Sequence, residues 1–150
     1  MVRKELMPLV IADDDLEDCS MAREALQESR LANPVIIVRD GEELMEYLLG
    51  TGTHARTVPI PKPALILLDL KMPRKDGFEV LRELRANPTL RQIPVVVLTT
   101  SRAPYDIAAT YELGVNSFIS KPVTFEGLVD AMKVVKKYWF GIVELPNTDV

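Results

Sequence analysis

Cysteine, histidine and tryptophan each occur once in this chain of 150 residues. The lone Cys19 excludes an internal disulfide and favours a reducing, cytoplasmic location. Its helical spacing from Ala22 and Leu26 predicts a packing role. No apolar run approaches the roughly 20 residues that span a bilayer, and the N-terminus has no signal-peptide core. Basic residues are not in excess, and the net charge of −4 argues against nucleic-acid binding.

What the chain does have is a regular alternation of two kinds of segment. Short apolar runs rich in β-branched residues predict buried strands, and segments with helical periodicity separate them. The predicted strands are Leu9–Ala12, Pro34–Val38, Ala64–Leu68, Val95–Leu98 and Ser117–Ile119. The predicted helices cover residues 15–31, 42–49, 77–85, 104–113 and 124–139.

This alternation predicts the fold class. Strands that alternate with helices require crossover connections, and hence a parallel sheet covered on both faces. We expect an α/β, flavodoxin-like, doubly wound sheet of five strands with five helices. The order 2-1-3-4-5 is the natural choice at this size, although the sequence does not fix it. Residues 1–150 are expected to form one domain, with a core at about 6–138.

Capping residues support the predicted helix boundaries. They are the N-caps Asp15, Asp40 and Thr124, the first-turn Pro104, and the C-terminal glycines Gly50 and Gly114. Asp40 and Glu43 together form a capping-box pattern. On the fourth helix, Ile107, Ala108 and Tyr111 form the predicted apolar face. Beyond the last helix, the tail 139–150 begins with apolar residues that favour burial, either against its own domain or against a second subunit.

Carboxylates follow two of the predicted strands at the points where those strands end. Asp13 and Asp14 follow the first strand, and Asp69 follows the third. Ligands of open α/β sheets bind at this carboxyl edge, where neighbouring strands would bring the acids together. Carboxylates this close repel one another unless a cation lies between them. Because Mg²⁺ prefers oxygen ligands, the cluster predicts a magnesium site.

Hydroxyl and ammonium groups follow the fourth and fifth strands at the same predicted edge. Thr99, Thr100 and Ser101 follow the fourth strand, and only the register decides which hydroxyl faces the acids. Lys121 follows the fifth strand, where its ammonium can lie beside an anion. The adjacent Pro122 is a candidate for a cis peptide bond. Acids, a hydroxyl and an ammonium from separate strand ends together describe phosphoryl transfer onto a carboxylate.

With these motifs the chain resembles the receiver domain of two-component response regulators. The matching pieces are Asp13-Asp14, Leu67-Leu68-Asp69-Leu70-Lys71-Met72-Pro73, Asp76-Gly77, Val97-Leu98-Thr99 and Lys121-Pro122. The resemblance covers about residues 6–135. The separations from Asp69 to Thr99 and on to Lys121 match the family pattern without gaps. The combination is more specific than any single motif.

The resemblance implies a role for each matching acid. Asp69 is expected to accept a phosphoryl group from a sensor histidine kinase, with Mg²⁺ as the cofactor. Asp14 is expected to bind the metal directly, and Asp13 through a water molecule. Asp69 itself and the backbone carbonyl of Lys71 complete the expected metal site.

The resemblance also implies the switch and phosphate-binding residues. Thr99 is expected to be the switch hydroxyl and Lys121 the phosphate-binding lysine. Thr100 occupies the small-residue position beside Thr99, where the family often has alanine. Phe118 occupies the switch aromatic position, where many members carry tyrosine. The ring can pack as in the family, but the hydrogen bond of the tyrosine hydroxyl is lost.

Partners are implied by the resemblance as well. The chain ends soon after the fifth helix, so we expect a single-domain regulator with no output domain, which acts through protein contacts and binds neither nucleic acid nor membrane. The loop Gly50–Pro63, the run 99–101 and the apolar tail resemble response regulators paired with bacterial phytochrome kinases. Those members often form homodimers through the last helices, the fifth strand and the tail.

Two other functions are weighed against this one. A haloacid-dehalogenase-like phosphatase also uses a strand-end aspartate with Mg²⁺, but it needs a second aspartate two residues later, where this chain has Lys71. A phosphorylation-independent dimer or scaffold has no sequence feature in its favour. His54 lies in the glycine- and proline-rich loop, which excludes a histidine phosphotransfer role and predicts a solvated side chain. We therefore expect no enzyme activity beyond self-phosphorylation and slow dephosphorylation.

Overall fold

Strands and helices alternate along the computed structural model, which describes residues 7–30, 33–55, 62–100, 103–115, 117–121 and 124–137. The strands are β1 Leu9–Ala12, β2 Val35–Val38, β3 Leu65–Leu68, β4 Val95–Thr99 and β5 Ser117–Ser120. The helices are α1 Leu16–Glu28, α2 Gly41–Leu49, α3 Gly77–Ala86, α4 Pro104–Glu112 and α5 Phe125–Lys136. A short 3₁₀ helix, Gly52–His54, follows α2.

The strands form one parallel sheet in the order β2-β1-β3-β4-β5, which confirms the predicted topology. Ala12 of β1 pairs with Leu68 of β3, and Thr99 of β4 pairs with Ser120 of β5. Every residue of β1, β3 and β4 is buried, because helices cover both faces of these central strands. The register therefore aligns the carboxyl ends of the three strands at one edge.

Two apolar layers hold the helices on the sheet, because successive strand residues point to opposite faces. One layer packs Val10, Ile66 and Val97 against α2 and α3. The other layer packs Leu9, Leu67 and Val96 against α1 and α5. Each fully buried aliphatic side chain contributes about 1.5–3 kcal/mol of hydrophobic stabilisation. This packing fixes the strand ends from which the candidate site is built.

The predicted N-caps are confirmed. The side chains of Asp15, Asp40 and Thr124 each accept a hydrogen bond from a first-turn N–H of α1, α2 and α5 respectively. The capping box at α2 differs in one detail. Glu43 Oε1 accepts from the N–H of Arg39, at 2.9 Å, and not from that of the N-cap residue. The pair still satisfies two backbone donors at the start of the helix.

Helix ends differ modestly from the prediction. Gly50 ends α2 in the left-handed region, at φ 69°, as its identity predicts. Helix α1 stops at Glu28, earlier than predicted, and Arg30 then adopts a φ of 62°. Helix α5 begins at Phe125, directly after its cap. Trp139 and the rest of the tail 139–150 lie outside the described residues, as do residues 56–61, Ser101 and Pro122.

The predicted apolar face of α4 is wrong. Tyr111 is 50% exposed and Ala108 is also exposed, whereas the buried residue of α4 is Thr110. The hydroxyl of Thr110 donates to the carbonyl of Ile107 at 2.8 Å, so its burial leaves no unsatisfied donor. Helix α4 therefore makes little apolar contact with the rest of the protein, and its aromatic residues face outward.

The prediction of a solvated His54 is also wrong. Its Nε2 lies 2.9 Å from Oε2 of Glu43, and its ring contacts that of Tyr47 edge-on at 5.3 Å between centroids. The side chain is 26% exposed. These contacts tie the 3₁₀ helix to α2. Among the described helices, none has both the length and the hydrophobicity that a bilayer crossing requires.

Candidate functional site

The ends of β1 and β3 bring two carboxylates side by side. Ala12 and Leu68 are paired in the sheet, and the N–H of Asp69 donates to the carbonyl of Ala12 at 3.0 Å. Asp13 and Asp69 follow these paired residues and are 5% and 8% exposed. Burying two acids together is unfavourable unless positive charge or hydrogen-bond donors surround them.

Asp69 receives donors on both carboxylate oxygens. Oδ1 accepts from Thr99 Oγ1 at 2.6 Å and from the N–H of Lys71 at 3.4 Å. Oδ2 accepts from Lys121 Nζ at 3.3 Å. Gly77 lets the start of α3 approach this strand end closely, because a Cβ there would lie 2.7 Å from the carbonyl oxygen of Asp69. The carboxylate is thus held by the ends of β4 and β5 and by its own loop.

Asp13 is held by its own loop and by Lys121. Oδ1 accepts from the N–H of Asp15 at 3.0 Å, and Oδ2 accepts from Lys121 Nζ at 2.6 Å. Burial raises the pKa of the Asp13 carboxyl to about 6, although the hydrogen bonds from Lys121 and Asp15 oppose that shift. Part of the cost of burying this acid therefore remains uncompensated.

Cys19 lies directly behind Asp13, and its predicted packing role is confirmed. The side chain is 2% exposed, and Sγ donates to the backbone carbonyl of Asp13 at 3.3 Å. Burial, followed by the negative charge of Asp13, raises the pKa of the thiol to about 11. Cys19 is therefore a neutral thiol at physiological pH and supports the first acid sterically.

Lys121 reaches the acids from the end of β5, where its N–H donates to the carbonyl of Thr99 at 2.8 Å. Its Nζ donates to Asp13 and Asp69, and also to Oδ2 of Asp18 at 2.8 Å. Burial alone lowers the pKa of Lys121, but the hydrogen bonds to Asp13 and Asp18, together with the negative charges of Asp13 and Asp69, outweigh it and the pKa is raised. The ammonium is firmly protonated and partly neutralises the cluster.

The carboxylates have the composition of a metal site. Asp13, Asp14 and Asp69 each offer an oxygen, and these three atoms lie within 4.8 Å of one another. Asp14 is exposed, so the cluster opens to solvent on one side. In the described part of the chain the ion pairs of Asp13 and Asp69 all go to Lys121, which leaves net negative charge. An anionic, all-oxygen donor set open to water fits a hard divalent cation such as Mg²⁺.

Most of the predicted site residues converge. Asp13, Asp69, Thr99 and Lys121 are in direct contact, and Asp14 lies beside the two acids. The register selects Thr99 as the hydroxyl that faces the acids, because it is fully buried at the edge. The hydroxyl-bearing neighbour Thr100 is exposed. The side chain of Lys71 is also exposed and does not contribute to the cluster.

Phe118, a further predicted position, does not join the cluster. Phe118 of β5 is half-buried and packs against the apolar layer between the sheet and helices α2 and α3. Pro122 lies outside the described residues, so the prediction of a cis peptide there stays a prediction.

Asp18 is the site residue that the sequence reasoning missed. It lies in the first turn of α1, where an acid three residues after an N-cap is ordinarily explained by the helix dipole. Nothing in the sequence separates it from such an acid, because its contact with Lys121 is set by the tertiary fold.

Known proteins with similar sequences and structures complete the description. A model of the "Response regulator receiver domain" family matches residues 9–133. Response regulator Rcp1 of Synechocystis sp. strain PCC 6803 is 39% identical over 138 residues, which are 92% of either chain.

Two solved structures are similar over nearly their whole length. The phosphorylated cyanobacterial phytochrome response regulator RcpA is 39% identical, with a TM-score of 0.86, and the match covers 95% of this chain and 99% of RcpA. The Mn²⁺-bound form of Rcp1 is 38% identical, with a TM-score of 0.84, and the match covers 94% and 99% of the two chains.

Proposed function

The chain belongs to the response regulator receiver domain family, and from that premise we propose that Asp69 is its phosphoacceptor in a two-component phosphorelay. The observation that carries this proposal is the convergence of donors on Asp69: the hydroxyl of Thr99 at 2.6 Å and the ammonium of Lys121 at 3.3 Å. A structural aspartate does not require such partners from two further strand ends.

The transfer step is a displacement at phosphorus. An oxygen of the Asp69 carboxylate forms a bond to phosphorus as the bond from phosphorus to the donor nitrogen of a kinase histidine breaks. The electron pair of that bond leaves with the histidine. Lys121 neutralises charge on the phosphoryl oxygens, and Thr99 donates to one of them. Both groups already contact Asp69, so little reorganisation is needed.

The cofactor proposed for this step is Mg²⁺. Asp13, Asp14 and Asp69, with the backbone carbonyl of Lys71, would hold the ion, and Asp13 would do so through water. Bound there, the ion supplies positive charge that draws the phosphoryl oxygens toward Asp69. The Mn²⁺-bound form of the similar Rcp1 supports a divalent cation in this family.

The proposed response to phosphorylation is a change in α4 and β5. Thr99 moves toward the phosphoryl group, and Phe118 fills the space that Thr99 leaves. The half-buried ring of Phe118 and the light packing of α4 support this order of events. Because phenylalanine has no hydroxyl, only packing stabilises the inward orientation of the Phe118 ring.

The proposed partner is a phytochrome-type sensor histidine kinase, because RcpA, described as a phytochrome response regulator, is similar over nearly its whole length. A homodimer through α4, β5, α5 and the tail is also proposed. Tyr111 and Val134, at 50% and 64% exposed, place apolar surface on two of these elements. The buried free thiol of Cys19 supports a reducing, cytoplasmic location.

The direct test is the intact mass of the protein after incubation with acetyl phosphate and Mg²⁺. We expect the wild type to gain one phosphoryl group, Asp69→Asn to gain none, and chelation of the metal to prevent labelling. Asp40→Asn is the matched control: it alters another buried strand-end acid, and asparagine caps a helix as well as aspartate does. Label on Asp69→Asn would contradict the proposal.

The same experiment distinguishes the alternatives. An unlabelled wild type with unchanged oligomer size would favour a scaffold. Catalytic turnover of a phosphomonoester would favour a phosphatase, for which the exposed Lys71 offers no acid–base group two residues after Asp69.

A further inference from the structure

Lys121 has one carboxylate partner that the metal site does not use. Its ammonium lies 2.6 Å from Asp13, 2.8 Å from Asp18 and 3.3 Å from Asp69. Asp13 and Asp69 belong to the group of oxygens close enough to share one ion, and Asp18 is not in that group. Lys121 and a divalent cation therefore compete for the same two acids, and Asp18 is outside that competition.

Asp18 is suited to hold the ammonium while the other two acids bind a metal. Its side chain is 37% exposed, whereas those of Asp13 and Asp69 are 7% and 10% exposed. An ammonium pairs with an exposed carboxylate at a smaller desolvation cost than with a buried one. The backbone N–H of Asp18 is fixed by the cap residue Asp15 at 3.1 Å, so the residue has a defined position on α1.

The structure also leaves room for the ammonium to shift. A cavity of about 20 Å³ is lined by Asp13, Asp18 and Lys121, with Leu98 and Leu128 on its apolar side. That is about the space that one water molecule needs. This space would let the ammonium shift away from Asp13 and Asp69 while it keeps its contact with Asp18.

We propose that Asp18 is a positioning residue, which retains Lys121 at the rim of the site when a divalent cation occupies Asp13, Asp14 and Asp69. This rests on the proposed function. Asp18 acts through Lys121 and does not touch the metal or the phosphoryl group. Without Asp18, the ammonium would pair only with Asp13 and Asp69 and would oppose metal binding there.

The test is Mg²⁺ affinity measured by titration calorimetry on the full chain. We expect Asp18→Asn to bind Mg²⁺ roughly 10-fold more weakly than the wild type, in the range of other residues that orient metal ligands. Asp18→Glu should recover most of the affinity. Glu17→Gln is the matched control, because it removes a charge from the same turn of α1, and it should change affinity much less. Equal affinities of Asp18→Asn and wild type would overturn the proposal.

A double-mutant cycle separates positioning from a simple charge effect. In a Lys121→Met background, Asp18→Asn should no longer alter Mg²⁺ affinity, because there is no ammonium left to hold. An equal loss in both backgrounds would mean that the charge of Asp18 acts directly on the ion, and would overturn the proposal.

The metal-free protein gives an independent spectroscopic readout. The ammonium of Lys121 should give a slowly exchanging nitrogen–proton signal in NMR spectra, and Asp18→Asn should broaden or shift it while Glu17→Gln leaves it in place. An unchanged signal would count against the contact. If the wild type binds Mg²⁺ and is labelled on Asp69, and Asp18→Asn binds Mg²⁺ equally well, only this inference is contradicted. A wild type that binds no Mg²⁺ would sink the proposed function as well.

Discussion

Two regions of the molecule meet at Asp69, and they are built differently. The acid-bearing region comprises β1, the first turn of α1, β3 and the helix α3 that follows it. Its strands are buried throughout, and the cap Asp15 fixes two amides of α1. The α4–β5 region comprises residues 103–115 and 117–121. There α4 buries Thr110, its N-cap Ala103 has no side-chain oxygen, and Tyr105 is 76% exposed.

The difference assigns separate tasks to the two regions. The proposed metal ligands and acceptor carboxylate need fixed geometry, which the acid-bearing region supplies through burial and hydrogen bonds. A surface that responds to phosphorylation needs two packings of similar free energy, and lightly packed segments meet that need most easily. Thr99 and Lys121 connect the regions, since both contact Asp69 from β4 and β5.

The largest expected contrast is in core truncations on two helices. Leu81→Ala in α3 removes a side chain with 0% exposure and should lower the free energy of unfolding by about 2–5 kcal/mol. Ile107→Ala in α4 removes a half-buried one and should cost at most about 1 kcal/mol. Urea denaturation of both variants measures the difference. Similar losses would show that α4 is packed as firmly as α3 and would break the comparison.

A smaller effect concerns the burial of Asp13 in the acid-bearing region. Its folded-state pKa of about 6 lies above the ordinary value of 3.8, so the folded protein binds a proton more tightly than the unfolded chain. The contribution to stability is fully present below pH 4 and is lost as pH rises through about 6, by about 2–3 kcal/mol.

This pH dependence is measured by comparing unfolding of the metal-free wild type and Asp13→Asn between pH 4 and 7. The wild type should lose stability relative to the variant as pH rises, and Mg²⁺ should restore it above pH 6, because the ion binds the charged carboxylate. Parallel pH profiles of the two proteins would contradict the assignment.

The smallest expected effect concerns the capping of the N-termini of α3 and α4. Asp76 caps α3 by accepting from the N–H of Glu79 at 2.9 Å, and Asp76→Ala should cost about 1 kcal/mol. Ala103→Ser should add a cap to α4 and gain up to about 1 kcal/mol, because residue 103 has the extended backbone of an N-cap. Thermal unfolding of the two variants should shift in opposite directions. An unchanged or lowered unfolding temperature of Ala103→Ser would contradict this prediction.

Much of this architecture could be predicted because the strands are short, apolar and β-branched. The predicted strand Leu9–Ala12 is observed without change, and Val95–Leu98 gains only Thr99. Pro34 was predicted to begin β2, but the strand starts at Val35, since proline has no N–H for the ladder. The convergence of the polar side chains at the strand ends could be predicted because parallel strands align their carboxyl ends.

The rest depends on packing that periodicity does not reveal. Helix α4 turns Tyr111 outward and buries Thr110, because the hydroxyl is satisfied within the helix. Asp18 resembles an ordinary first-turn acid, and only its approach to Lys121, 103 residues away in sequence, distinguishes it. His54 likewise finds Glu43 across a loop. Contacts between distant segments are set by the tertiary fold.

The location of the phosphoryl group tests the central claim most directly. A phosphorylated aspartate is a mixed anhydride, which borohydride reduces to the alcohol, so the acceptor residue becomes homoserine. After treatment with acetyl phosphate and Mg²⁺, peptide mass spectrometry should place homoserine at position 69 and leave Asp13, Asp14 and Asp18 intact. Homoserine at one of those three positions, or at none, would contradict the account.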